Sequence, residues 1–400
     1  MCSFYDTPSP EMLREHFGVE APGEYLEKDS QRGLLNRPSS ASASTGRGLS
    51  PDPTRPTSSG WKSSAFVHSE HEGASKMHPM SQASTHAAKT GEKNFDALIV
   101  GAGPAGVSCS VWLQQLGFRS ALIDANPTCG GLQLSNPWTN TWIATSVNAH
   151  GKDVAAALQG NAERHGSALY LSLTALRATP DGEGWKIELS SGEALTGKAL
   201  VLAGGVTPKT GGLVSRAGLL IGPGPQVAAT NFSGSTVAIL GGGDNAFENY
   251  QFVRDRGASR VTIFARTLKA RAEMLERVPA EDVVVGPYEI DAEAKTVGGK
   301  SFDHILVLYG YEAHRKALVG LEPSMTPSGF VQTDQNCRTS IPGVWAIGEL
   351  AQRMHPCCVT SMADGIVAAK NIQSVLETSK RERYIGAVRR GAAMLSMLKN

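Results

Sequence analysis

The chain has 400 residues, 41% of them hydrophobic, and 38 Lys and Arg against 37 Asp and Glu leave a formal charge of +1. That length suits two or three ordinary domains of roughly 100–200 residues each, and the balanced charge supplies no global field to steer nucleic acid. Six cysteines, at 2, 109, 129, 337, 357 and 358, form no C-x-x-C pair, which argues against a disulfide scaffold, a zinc knuckle or an adjacent redox dithiol. No apolar run approaches the roughly 20 residues that span a bilayer, and the opening residues lack the basic and apolar regions of a secretory signal. The expectation is a cytoplasmic protein with no membrane or nucleic-acid partner.

Residues 1–93 are rich in Ser, Pro, Gly and His. Such composition cannot bury enough apolar surface to offset chain entropy, so this stretch reads as a disordered or non-native tail. The folded pattern begins with the apolar run Asn94–Val100, followed by Gly101-Ala-Gly103-Pro104-Ala105-Gly106, a helical segment, and a second strand ending in Asp124. In this order Gly101 makes the tight turn, Gly103 lets backbone approach a pyrophosphate, and Gly106 permits close helix–strand packing. Exposed N–H groups at the helix start would hold the phosphates, and Asp124 stands where an adenosine ribose is hydrogen-bonded.

The unit recurs. Ser235–Leu240 leads into Gly241-Gly-Gly243-Asp244-Asn245-Ala246, a helix, and the strand Arg260–Phe264. Ala246 fills the third glycine slot, where only a small side chain is required. The second strand ends in Ala265-Arg266-Thr267, with Lys269 and Arg271 beyond, and no acidic residue. A carboxylate there would receive the free 2′-hydroxyl of NAD, whereas arginines accommodate a 2′-phosphate. The chemistry therefore favours NADP over NAD, unless the arginines merely solvate a loop. Two such units imply two dinucleotides, a flavin (FAD) in the first and a nicotinamide donor in the second.

Further blocks follow in a defined order: Gly130-Gly131-Leu-Gln133-Leu, Leu202-Ala-Gly-Gly-Val-Thr-Pro208, Gly343-Val-Trp-Ala-Ile-Gly348-Glu349 and Thr360-Ser-Met-Ala-Asp-Gly365. Over residues 94–375 these blocks resemble the thioredoxin reductase-like flavoproteins with two dinucleotide-binding domains, which include the thioredoxin-reductase-type ferredoxin–NADP reductases. The resemblance implies an α/β fold of two Rossmann-like three-layer domains. An FAD domain would be split between 94–208 and 331–376, the NAD(P)H domain 209–330 would be inserted, and 377–400 would form a helical extension. It also implies flavin contacts at Gly131, Gln133, Asn136, Thr145, Gly204, Gly348 and Glu349. On the inserted side Asp244, Asn245 and Glu248 lie near the nicotinamide half; for Glu248 a solvated helix face is the alternative.

Departures from the family pattern matter as much. Gly222–Phe232, where a thioredoxin reductase carries its dithiol, contains no Cys, and thiol–disulfide exchange needs an attacking and a resolving thiol. Glu349 replaces the family's Asp, and Pro356-Cys357 replaces its Arg-Gln pair. A thiol at Cys357, with His355 to lower its pKa, could form a charge-transfer pair or an adduct with flavin; alternatively Cys357 and Cys358 are small buried hydrophobes. Trp138 and Trp142 either stack on the flavin or a planar substrate, or anchor a loop.

The carboxy-terminal residues Ile385, Val388, Ala392, Leu395 and Leu398 recur at helical spacing, suited to a homodimer interface or to an acidic partner such as a ferredoxin. The leading expectation is an FAD-dependent NAD(P)H oxidoreductase that passes electrons to a small electron-carrier protein, a quinone or a small metabolite without a protein dithiol. The alternatives are a flavin-dependent oxidase or tailoring enzyme, and a flavin-binding sensor or scaffold that has lost reductase activity.

Overall fold

The structure is a computed structural model that describes residues 93–136, 139–140, 142–146 and 148–397. The expectations for the amino-terminal tail and for Trp138 fall outside these residues. Two sheets carry the architecture, a mixed one and a parallel one inserted within its connections.

The first sheet opens with β1 (Asn94–Val100), α1 (Pro104–Gln115) and β2 (Ser120–Asp124). A 3₁₀ turn at Gly131–Ser135 and the short pair β3 (Thr139–Asn140) and β4 (Ala149–His150) lead into α2 (Gly151–Arg164) and β5 (Ala168–Leu171). Strands β6 (Ala175–Asp181), β7 (Gly184–Leu189) and β8 (Ala194–Leu202) follow as an antiparallel meander. The order is β5-β2-β1-β8-β7-β6, with β1 parallel to both β2 and β8. Parallel strands are covered on both faces and read as continuous apolar runs; accordingly Ala97, Leu98, Ile99 and Val100 are all buried.

After β9 (Val206–Pro208) the chain builds the second sheet from β10 (Leu219–Ile221), α3 (Pro225–Ala229), β11 (Thr236–Leu240), α4 (Asp244–Asp255), β12 (Arg260–Ala265), α5 (Ala272–Glu276) and β13 (Val283–Val285). A small meander, β14 (Ile290–Asp291), β15 (Thr296–Val297) and β16 (Lys300–Ser301), precedes β17 (His304–Val307). The order β10-β17-β11-β12-β13 places β13, β12, β11 and β17 as β5, β2, β1 and β8 stand in the first sheet. Both are the three-two-one-four arrangement of a dinucleotide-binding half.

The return crossing is β18 (Tyr311–Ala313), which pairs antiparallel with β9. Leu318, Val319 and Phe330 then pack into the core of the first sheet, and β19 (Val344–Ala346) adds parallel to the end of β8. Helix α6 (Cys358–Met397) closes the chain. Among the described residues no helix is long and apolar enough to cross a membrane.

Helix α6 buries Ala368, Ala369, Ile372 and Leu376, a helical i, i+4 stripe, in one cluster with Cys109 and Leu113 of α1. The contact is close because position 365 has no side chain: a Cβ there would lie 2.4 Å from the Ala105 carbonyl oxygen and 2.7 Å from the Cys109 nitrogen. Ser108 also donates its hydroxyl to the Met362 carbonyl at 2.8 Å. Backbone cannot yield as a flexible side chain can, so Gly365→Ala is expected to cost about 1–3 kcal/mol or more of stability. A drop in the thermal unfolding midpoint would register it, and an unchanged midpoint would show that the two helices can separate freely.

Candidate functional site

The glycines of the first turn divide their work as their spacing predicts. Gly101 has φ +112°, and a Cβ there would meet the Ala203 carbonyl oxygen at 2.4 Å. A Cβ on Gly106 would lie 1.9 Å from the Gly101 carbonyl oxygen. Around Gly103 a Cβ would find only the Gly131 Cα, at 3.8 Å. The outer glycines are therefore steric necessities, and the middle one opens onto free space. Gly103 also precedes Pro104 at the start of α1 and makes no side-chain cap, which leaves the amino-terminal N–H groups of the helix available to an anion.

The second turn repeats this division. A Cβ on Gly241 would lie 2.3 Å from the Leu308 carbonyl oxygen, and one on Gly242 would lie 2.0 Å from that of Thr267. Around Gly243 nothing lies within 4 Å, α4 has no side-chain cap, and Ala246 is buried in the core of the second sheet. Both turns thus fit a phosphate-bearing dinucleotide.

Three distant segments converge on the first turn. Gly130 donates its N–H to the Ala102 carbonyl at 2.8 Å, and Gly131 sits against Gly103. Gly348, with φ +67°, packs so closely on Ala105 that a Cβ would lie 2.9 Å from the Ala105 Cβ. Asp124 stands at the end of β2, and its carboxylate hooks the turn directly: it accepts the Ala102 N–H at 2.7 Å and two donors of Asn126 at 2.8 and 2.9 Å. A carboxylate offers about four acceptor positions, so a ribose hydroxyl can still be received. Nearby, Gln133, Asn136 and Asn140 are buried, and Gln133 accepts the Asn140 side-chain N–H at 3.0 Å. Gly204 packs on Ala317, whose Cβ would lie 2.0 Å from any Cβ added there. Trp142, 58% exposed, and the exposed Thr145 stand on the turn leading to β4.

The loop from Gly348–Glu349 to α6 is fixed by a buried ion pair that motif reading did not single out. Arg353 lies 3.2 Å from the Asp364 carboxylate, which is only 4% exposed. Arg353 also donates to the Cys337 sulfur at 2.6 Å and to the Gln335 carbonyl at 2.9 Å, while Asp364 accepts the Gly348 N–H at 3.1 Å. Burial raises the Asp364 carboxyl above its ordinary range, and Arg353 and the Gly348 amide pull it back. Burial likewise pushes the Cys337 thiol up to about 12, with Asp364 adding and Arg353 opposing, so Cys337 is no nucleophile. Further along, the buried Cys357 immediately precedes α6; its sulfur accepts the Thr360 N–H at 3.4 Å, and its own N–H donates to the Thr360 hydroxyl at 3.1 Å. Exposed His355 lends its carbonyl to that hydroxyl at 2.7 Å.

Tyr311 lies on β18, the strand by which the chain returns to the first sheet. Its phenol is buried beside the Asn245 amide of α4, with the Glu349 carboxylate close enough to act on it. Burial, with Glu349 adding, holds the phenolic proton more tightly than usual, and the nearby Asn245 amide pulls the other way. The signal for Tyr311 was its place in the crossing segment Gly310–Arg315. For Asp364 it was an acid on the apolar face of a helix, and Arg353 carried none. On the second turn, Asp244 and Arg271 are joined rather than separate, and Arg266 is exposed.

The sequence profile of the pyridine nucleotide-disulphide oxidoreductase family matches residues 95–369. The chain belongs to this family. It is a flavin-dependent oxidoreductase of the thioredoxin reductase-like kind, whose acceptor the family alone does not specify. It is 24% identical to a thioredoxin reductase of Bacillus subtilis over 72% of this chain and 96% of the relative. It is 27% identical to a ferredoxin–NADP reductase of Ignicoccus hospitalis over 64% of this chain and 90% of the relative. Among solved structures, Lactococcus lactis thioredoxin reductase superposes with a TM-score of 0.60 at 20% identity, covering 70% of this chain and 98% of its own.

Removing one member of a buried ion pair typically costs about 3–5 kcal/mol, because the other charge is left unpaired. Arg353→Met is therefore expected to lower stability at neutral pH. The effect depends on pH: a carboxyl whose folded pKa is raised penalises the fold only once it ionises, and losing Arg353 raises it further. The deficit should be smallest below the ordinary carboxyl range and grow as pH rises through the raised value. Denaturant titrations from acid to neutral pH measure it, and a deficit independent of pH would exclude Asp364 as its source.

Proposed function

We propose that the protein is an FAD-dependent NADPH oxidoreductase that passes electrons directly to its acceptor, without a protein dithiol. The observation that carries this reading is the pair of uncapped glycine turns, each open at its middle glycine, in a chain with no Cys between 222 and 232. FAD would occupy the first turn, with Gly101, Gly103, Pro104, Ala105, Gly106, Asp124, Gly131, Gln133, Asn136, Gly348 and Glu349 around it. NADPH would occupy the second, with Gly241, Gly243, Asn245, Ala246, Glu248, Arg266 and Arg271.

When bound, flavin would supply the redox chemistry of hydride transfer from the nicotinamide and onward electron transfer. The protein's part is to hold and orient. The N–H groups that open α1 and α4 receive phosphates, Asp124 receives the ribose, and the Arg353–Asp364 pair fixes the loop bearing His355 and Cys357 beside the flavin segment. Tyr311 lies buried at the crossing between the sheets, beside Asn245 of α4 and within electrostatic reach of Glu349. With no thiol relay, the acceptor must reach the flavin itself, as a small electron-carrier protein, a quinone or a small metabolite can.

Anaerobic mixing with NADPH or NADH, following the flavin's visible absorbance, tests the reading. NADPH should bleach the flavin faster than NADH does. Retention of flavin with bleaching by neither donor would overturn it and redirect attention to an organic substrate of an oxidase. We also infer a homodimer, supported by the exposed Tyr384, Ile385 and Val388 on α6, which leave apolar surface for a second copy to cover. Light scattering should return the mass of two chains for the wild type and of one for Val388→Asp.

A further inference from the structure

Asp244 poses a problem for a nucleotide site. It is the first residue of α4, directly after the open Gly243. A carboxylate there suits the helix dipole but repels the phosphates that the same N–H groups would hold. The structure resolves the conflict by committing the carboxylate elsewhere.

Both Asp244 oxygens are occupied by one residue from across the site. Oδ1 accepts the Arg271 backbone N–H at 2.8 Å, and Oδ2 accepts the Arg271 side-chain Nε–H at 2.6 Å. The Asp244 side chain is 9% exposed, and that of Arg271 is 43% exposed. The rest of the loop follows. Lys269 and Ala270 donate their N–H groups to the Gly242 carbonyl at 2.8 and 2.9 Å, and Thr267 leaves room at position 242 only for glycine. The loop after β12 is thus clamped onto the glycine turn at both ends. A guanidinium carries five N–H donors in a rigid fork. Engaging Nε fixes the plane of the fork and leaves both terminal nitrogens for a second oxyanion.

We propose that Asp244 is a positioning residue for nucleotide specificity: it neutralises itself on Arg271 and holds that guanidinium ready for the 2′-phosphate of a phosphorylated adenine dinucleotide. The inference rests on the reading that the second turn takes NADPH. Asp244 touches no substrate in this role and acts through Arg271.

Titration of the full-length protein with 2′,5′-ADP and with ADP, by calorimetry and without turnover, separates the two ideas. Asp244→Asn keeps an oxygen for the Arg271 backbone N–H but removes the charge that orients the side chain. It should weaken 2′,5′-ADP about tenfold, the loss of roughly one charge-assisted hydrogen bond, and leave ADP unchanged or tighter. In an Arg271→Ala background the same change should have no further effect on 2′,5′-ADP. Should Asp244→Asn not fold, Asp244→Ser serves instead: it keeps a hydroxyl at the helix start but removes the carboxylate that engages the Arg271 guanidinium, so 2′,5′-ADP again weakens while ADP holds. A wild type that binds 2′,5′-ADP no better than ADP would overturn the NADPH reading. A wild type that prefers 2′,5′-ADP, with the preference intact in Asp244→Asn or equally reduced in both backgrounds, would overturn the role of Asp244 alone.

Discussion

The structure depends on the absence of side chains where backbone meets backbone. At Gly106 a single methyl carbon would lie 1.9 Å from the Gly101 carbonyl oxygen, and at Gly242 it would lie 2.0 Å from that of Thr267. These approaches set α1 close on its turn and the second turn close on the loop after β12, and the open N–H groups of α1 and α4 stand at the carboxyl ends of β1 and β11, where ligands of open α/β sheets bind. Gly365 extends the same device to α6, which would otherwise be held off α1 by a side chain against the Ala105 carbonyl. Removing contact atoms here does more than adding them would.

Charge is handled by pairing at both turns, in opposite ways. At the first, Asp124 accepts backbone N–H groups and so stiffens the turn it also offers to a sugar. At the second, Asp244 would oppose an anion were it not joined to Arg271. Beside the first turn, Arg353 and Asp364 form a buried pair whose desolvation is costly and is offset by the added bonds to Gly348, Cys337 and Gln335. That network anchors the loop between Gly348 and Cys357, and it uses a cysteine as an acceptor rather than as a reactive thiol.

Much of this was legible in the residues. The two glycine turns, their strands, the small residue at 246 and the absent dithiol could be read because local geometry dictates residue type. A turn with positive φ wants glycine, and a buried parallel strand wants an unbroken apolar run. The start of the long helix from Cys358 was legible only through the family resemblance of Thr360–Gly365, and its part beyond Ile385 through apolar positions that recur at helical spacing. Trp142 stands largely exposed on its turn.

The sequence by itself therefore determined the two dinucleotide-binding units, their order and the lack of a cysteine relay, since each is encoded in residues close together along the chain. Only the tertiary structure decided which side chains meet across long separations: Arg271 with Asp244, and Arg353 with Asp364 and Cys337. Such partners are chosen by packing of distant segments and by the cost of leaving a buried polar group unpaired, and neither leaves a periodic mark in the chain.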